Sequence, residues 1–379
     1  MLLSVLDQSP IPEGSTGAQA LANTLDLARL ADELGYHRYW LAEHHGGPML
    51  AGPSPEVLIG PVAAATGTIR VGSGGVMLPH YSPLKVAESF TILAALFPER
   101  IDLGLGRAAG TDQLTAFALQ RDRRQPAPDD FPQQLAELLA YLEDDLPAEH
   151  PFRHLAATLP GRPALPVPWL LGSSEQSAIW AAQLGLRYAF ADFINPRGAE
   201  IAALYRSRFV PARDLSAPRL AVAIWALAAP TDEEAEFLAS SSRMTFTLLR
   251  RGRLVAVPPP EVAVDFLALE ARRRADGQVP GRRGVVGSPE TVRAGIERVV
   301  SEYGADEAII VTITFDHRMR RRSYELIADA FGLKRRAAAG AGAPAATSQT
   351  GPAAGATPSA AGATPSAAGA ASSAAGAAT

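Results

Sequence analysis

Cysteine is missing altogether from the 379 residues. Its absence removes disulfides, thiolate metal sites and cysteine nucleophiles in one step. A basic excess is missing too. The formal net charge is -4, whereas nucleic-acid binders usually carry a positive footprint, so no nucleic-acid partner is expected. No uninterrupted apolar run reaches the about 18 residues of a membrane span, and no membrane partner is expected. The opening Met1-Leu2-Leu3-Ser4-Val5-Leu6-Asp7 has no basic n-region and breaks its apolar run with a carboxylate. No signal peptide is read there, and a cytoplasmic protein is the simplest expectation. A Gly-x-Ser-x-Gly elbow, a His-Glu-x-x-His pair and a second His/Asp cluster at ligand spacing are all lacking, which argues against a serine hydrolase and against a metal site.

What is present is a chain with 47% hydrophobic residues, enough to bury a large core. Composition changes at about Ala337. From there to Thr379 the chain is almost wholly Ala, Gly, Pro, Ser and Thr, and Gly355-Ala356-Thr357-Pro358-Ser359-Ala360-Ala361 recurs at once as Gly362-Ala363-Thr364-Pro365-Ser366-Ala367-Ala368. Such a segment buries too little apolar surface to offset its ordering entropy. The expected division is a folded domain over 1–336 and a disordered tail over 337–379. The charge blocks Arg272-Arg273-Arg274 and Arg320-Arg321-Arg322 lie in helical patterns and read as solvated faces.

Strand-like runs fall at 2–6, 38–42, 69–77, 101–105, 169–172, 188–191, 220–227 and 308–313, with helical patterns such as 18–34 and 83–96 between them. Eight buried strands separated by helices predict an α/β fold, a (β/α)8 TIM barrel, in preference to an open doubly wound sheet. Two connections are long, giving insertions after strands 4 and 7. The first, 108–167, reads as holding one helix (131–142) between Pro-rich stretches. The second, 228–305, holds several helical pieces and the polar stretch 250–284. Long excursions from a barrel are usually lids or pocket walls, and apolar residues there, such as Phe117 and Phe131, point to an aliphatic or aromatic substrate.

Glu43-His44-His45 closes the second strand signal, on the side where such folds place their chemistry. Adjacent strand residues face opposite ways, so one metal is not easily shared. Acid–base work or a hydrogen bond to a ring suits a lone imidazole better, and polar strand-end residues at a surface are the plain alternative. Gly104-Leu105-Gly106-Arg107-Ala108-Ala109-Gly110-Thr111-Asp112 follows a strand, but its third glycine is one position late for a dinucleotide fingerprint and no acidic partner follows. Arg107 offers a fixed cation to an anion or pairs with a nearby carboxylate. Gly172-Ser173-Ser174-Glu175-Gln176-Ser177 ends a strand and opens a helix over 176–184. It serves as a phosphate site, an ordinary N-cap, or both, because the two use the same orphan donors. In Val71-Gly72-Ser73-Gly74-Gly75-Val76-Met77 three glycines interrupt a strand, which fits either a flat ring against the backbone or tight strand packing.

Taken together, residues 1–333 resemble the luciferase-like flavin monooxygenases. The resemblance rests on the segments just quoted and on Leu6-Asp7-Gln8-Ser9-Pro10, Trp180-Ala181-Ala182-Gln183-Leu184-Gly185-Leu186 and Val286-Gly287-Ser288-Pro289-Glu290. The Gly-Arg-Ala-x-Gly-Thr-Asp form at 106–112 is similar to the small single-chain bacterial branch. The resemblance implies a monooxygenase in which reduced FMN and O2 oxygenate a small organic substrate. His44 matches the catalytic acid–base position, with His45 beside it at the cofactor. Arg107, Ser173, Ser174 and Ser177 match the phosphate site, and a cis peptide at Gly74-Gly75 lies under the isoalloxazine ring. It also implies a homodimer through the early helices and, with no NAD fingerprint here, a separate NAD(P)H:flavin reductase. The same barrel family houses F420-dependent hydride-transfer enzymes and flavin-binding proteins without turnover, the two alternatives. The reactive cysteine of some luciferases is Gly106 here, and the long loop over their site is not recognisable, so light emission is not implied.

Overall fold

The computed structural model describes residues 1–108, 111–125, 129–273 and 283–336. The tail expected over 337–379, and with it Arg274 and Gly110, lies outside the described residues. Among them the strands are β1 (Leu2–Asp7), β2 (Arg38–Leu41), β3 (Arg70–Ser73), β4 (Val76–Met77), β5 (Ile101–Gly106), β6 (Val167–Gly172), β7 (Arg187–Ala191), β8 (Leu220–Ala228), β9 (Val285–Gly287) and β10 (Glu307–Val311). The helices are α1 (Gly17–Leu34), α2 (Pro55–Ala65), α3 (Pro83–Leu96), α4 (Gln113–Leu119), α5 (Phe131–Glu143), α6 (Arg153–Ala156), α7 (Glu175–Gln183), α8 (Ala199–Ser207), α9 (Asp232–Leu249), α10 (Pro260–Arg272), α11 (Pro289–Tyr303) and α12 (His317–Ala330).

All strand pairs are parallel, in the order β1-β2-β3-β5-β6-β7-β8-β10, and β10 returns to β1 to close an eight-stranded barrel. β4 continues β3 beyond Gly74-Gly75 and pairs with β5, while β9 extends the sheet beside the end of β8. Each of the eight strand signals in the sequence matches a barrel strand. The run over 69–77 is divided into β3 and β4, and β9 had no signal of its own.

Register explains how one chain builds two apolar layers. Val5, Tyr39, Val71 and Ile101 stand opposite one another across successive strands and join the core packed under the helices. One position on, Leu6, Trp40 and Gly72 turn inward, because successive side chains on a strand alternate faces. The interior is filled by Leu6, Trp40, Trp169, Ala221, Trp225 and Ile309, among others. The Trp40 and Trp169 rings meet edge-on at 5.2 Å.

The amino-terminal end of the barrel is plugged by charge. Arg38, first residue of β2, reaches Asp102 and Glu307 at 2.6 Å each, and Arg70 reaches the other oxygen of Asp102 at 2.6 Å. A Cβ at position 72 would stand 2.6 Å from the Asp102 side chain, so Gly72 makes room for this network. A second buried pair corrects the sequence reading of the triple arginine on α12. Arg320 is 2% exposed and bonds Asp7 at 2.6 Å. Of the three arginines only Arg320 lies on the buried face of the helix, with Ser323, Tyr324 and Ile327, while Arg321 and Arg322 stay on its outer side.

Among its described residues the connection over 108–167 holds three helices where one was expected. α4 and α6 are short; α4 buries no residue and is fixed by its Asp112 cap, whose side chain accepts from the Thr115 amide. A helix with no buried face leaves no periodic apolar signal to read. Elsewhere local signals suffice: α1 starts at Thr16, which caps the Gln19 amide at 3.2 Å, and ends at Gly35 with a left-handed φ of 89°. Such an N-cap contributes about 1 kcal/mol.

Candidate active site

The carboxyl ends of the strands open on a cavity of about 420 Å³. Its inner wall comes from side chains that the register turns inward, namely Leu6, Trp40, Leu171, Ala189, Ala223 and Ile309. The backbone of Gly74 and Gly75, joined by a cis peptide, forms one side. A Cβ on Gly74 would meet Leu6 at 2.5 Å and Trp40 at 3.0 Å, and one on Gly75 would meet the Gly104 carbonyl at 2.8 Å. Tight packing therefore requires the glycines, and the same bare backbone leaves a flat wall on the cavity.

The opposite end is polar. Arg107, just after β5, and Ser173, Ser174 and Ser177, in the turn from β6 into α7, all line the same cavity. Ser174 is the N-cap of α7. It accepts from the Ser177 amide at 3.3 Å, and Ser177 Oγ donates to the Ser174 carbonyl at 2.7 Å. Ser177 is fixed further by the Tyr188 hydroxyl at 2.8 Å. Burial pushes the Tyr188 phenol well above its ordinary value, so it stays protonated. A side chain at Gly172 would strike Ser177, which is why this strand ends on glycine. The Arg107 guanidinium lies 5.7 Å from the Trp180 ring and bonds Asp129 at 2.9 and 3.0 Å. That pair is exposed, and such pairs contribute little stability. The cap and the anion-site readings of the sequence are thus both compatible with this geometry.

Glu43-His44-His45 follows β2 as a loop, not as the strand end expected. His44 lines the first cavity and also a second one of about 480 Å³. His45 lines only the second. Its Nε2 lies 2.8 Å from Oε1 of the fully buried Glu43, and Glu43 Oε2 accepts from the Met77 amide at 2.9 Å. Glu43 thus links the histidine loop to β4. Burial raises the nearby Glu56 carboxyl, and the Glu43 charge adds to the effect.

The second cavity is walled by Met49, Leu50, Phe246, Leu249 and Leu254, with Thr111 and Asp112 at one side. Gln8, His44, Phe193 and Ile194 are common to both cavities and form the partition between them. Sequence reasoning gave no site role to three of these four, although Gln8 falls in the segment 6–10 that carries the resemblance. Gln8 sits directly after β1, a position that could have flagged it; Phe193 and Ile194 lie in a loop without periodicity. Of the two phenylalanines singled out in the sequence, Phe131 lines the first cavity, while Phe117 is 51% exposed and lines neither. Among the described residues no group of three or more His, Cys, Asp or Glu could hold a metal ion, and no helix is long and apolar enough to cross a membrane.

Comparison with known proteins agrees with this architecture. The family model for luciferase-like monooxygenases matches residues 1–307. An N-acetyl-S-alkylcysteine monooxygenase of Bacillus subtilis is 41% identical over 335 residues, covering 86% of this chain and 97% of its own. The crystal structure of apo-MsnO8 superposes with a TM-score of 0.79 at 42% identity, over 88% of this chain and 99% of that one. The oxygenating constituent of 3,6-diketocamphane monooxygenase from Pseudomonas putida, solved with FMN, has a TM-score of 0.64 at 20% identity, over 86% of this chain and 96% of that one. At that identity the likeness is one of fold.

Proposed function

The chain belongs to the luciferase-like monooxygenase family, and from that premise we propose that it uses reduced FMN and O2 to place one oxygen atom on a small organic substrate. One observation carries the reading. His44, Gly74, Gly75, Arg107, Ser173, Ser174 and Ser177, all singled out in the sequence, line a single cavity. It is polar and cationic at one end and flat and apolar at the other.

These residues fit FMN. The hydroxyls of Ser173, Ser174 and Ser177, the free amides at the start of α7 and Arg107 hold the phosphate. The Gly74-Gly75 backbone supports the ring, and Leu6, Trp40 and Leu171 bound it. When bound and reduced, FMN supplies the activation of O2. His44 faces both cavities and holds or delivers a proton through a ring nitrogen between them. His45, bonded to Glu43, orients the loop beside the cofactor. Met49, Leu50 and Phe246 keep water out of the second cavity and take the organic body of the substrate.

A separate NAD(P)H:flavin reductase supplies the reduced cofactor, because the chain shows no dinucleotide fingerprint. A homodimer through the early helices is supported by large exposed apolar side chains there, Val57 on α2 and Ile92 and Leu96 on α3. The catalytic unit is the domain over 1–336, and the tail takes no part in the chemistry. The name of the Bacillus relative makes an S-alkyl thioether the first substrate to try. With FMN, a separate reductase and ¹⁸O2, the expected product of an N-acetyl-S-alkylcysteine or another thioether or ketone carries one labelled oxygen. Hydride transfer dependent on F420 and indifferent to O2 would replace this reading with the alternative.

A further inference from the structure

The loop joining β7 to α8 carries the partition and is tied to the phosphate end of the first cavity. Phe193 and Ile194 line both cavities. The next residue, Asn195, donates from Nδ2 to the Ser173 carbonyl at 2.9 Å, and its Oδ1 accepts from the Arg197 amide at 3.1 Å. Ser173 lines the polar end of the first cavity. On the other side of the partition Asp192, 1% exposed, accepts from the Tyr303 hydroxyl at 2.8 Å and faces Arg283 at 3.3 Å. Ile194 is 60% exposed. Little packing holds this large apolar side chain in place, so its position depends on the backbone that carries it.

We propose that Asn195 is a positioning residue that makes the Phe193–Ile194 partition depend on phosphate bound at the 172–177 turn, so that FMN binding shapes the second cavity for substrate. The proposal rests on the flavin reading above. A phosphate that fixes the Ser173 turn fixes the acceptor of the Asn195 bond. The tethered loop then samples fewer conformations, and the two sites share a coupling free energy. Riboflavin has the same ring without the phosphate, so it occupies the ring site without loading the turn.

Hydrogen exchange of the full chain without O2, read by mass spectrometry at saturating reduced FMN or reduced riboflavin, tests this. In the wild type FMN is expected to slow peptides over 172–178 and 191–198 by about tenfold, within the usual range of such couplings. Riboflavin should leave 191–198 within about twofold of the free protein. In Asn195→Ala, FMN should still slow 172–178 but no longer 191–198. Asn195→Asp keeps an acceptor for the Arg197 amide and removes the donor, and it should behave as Asn195→Ala does. Protection of 191–198 by riboflavin equal to that by FMN, or retained in either variant with FMN, would overturn the proposal. If FMN slows neither peptide in the wild type, the flavin reading itself fails and takes this proposal with it.

Discussion

Replacing His44 by alanine is expected to lower substrate-dependent oxygen transfer by about 10²–10⁴-fold, the usual contribution of a positioned general acid or base. FMN affinity should stay within about threefold, a change of less than 1 kcal/mol, because the phosphate cradle lies at the other end of the cavity. The separation follows from geometry: His44 belongs to the wall shared by both cavities, whereas Arg107 and the serines face only the first. Product formed per FMNH2 consumed, together with a flavin binding isotherm for wild type and variant, checks both halves. Unchanged turnover at saturating flavin would remove His44 from the chemistry. A large loss of FMN binding would make it a cofactor ligand instead.

Arg38→Ala is expected to cost about 3–5 kcal/mol of stability, because it leaves buried carboxylates short of their cation. Asp102 would keep Arg70 and the Trp40 indole at 3.0 Å, and Glu307 would keep Ser4. The network lies at the amino ends of the strands and meets the first cavity through Trp40, so the loss should appear in urea midpoints far more than in flavin affinity. Its pH dependence has a definite sign. Burial would raise Asp102, and the guanidiniums of Arg38 and Arg70 outweigh it, holding the carboxyl below 3.8; Arg320 does the same for buried Asp7. A depressed folded value gives stability that is present above the unfolded value and is lost as pH falls through the folded one. The contribution of Asp102 and Asp7 should therefore be level between about pH 5 and 7 and be lost below about pH 4. The deficit of Arg38→Ala should shrink over the same acid range, since protonated Asp102 no longer needs the cation. A deficit independent of pH would place the effect in packing of the Arg38 guanidinium over the Trp40 and Trp169 rings.

The barrel was legible in the sequence because parallel strands covered on both faces are written as short apolar runs. The site was legible where it follows a strand: His44, Arg107 and the serine turn each come after such a run, and the closed barrel brings them to one mouth. Arg320 was not legible. Three consecutive arginines read as a solvated face, and only the fold reveals that one of them meets Asp7 across the barrel wall. The glycine-interrupted strand left two readings open, and the close approach of Leu6, Trp40 and Gly104 shows that packing alone demands small residues there. Phe193, Ile194 and Asn195 left no trace, because their work depends on a loop position and not on a pattern.

The central claim is that the cavity at the barrel mouth is an FMN site whose phosphate end is built by Arg107, Ser173, Ser174 and Ser177. Anaerobic equilibrium titration of the purified protein with reduced FMN, reduced riboflavin and F420 in parallel tests it most directly. The expected result is FMN binding at least about tenfold tighter than riboflavin, as charge-assisted hydrogen bonds to a phosphate require, with that advantage lost in Arg107→Ala/Ser177→Ala. Equal affinity for FMN and riboflavin, or saturation by F420 with no binding of FMN, would contradict it.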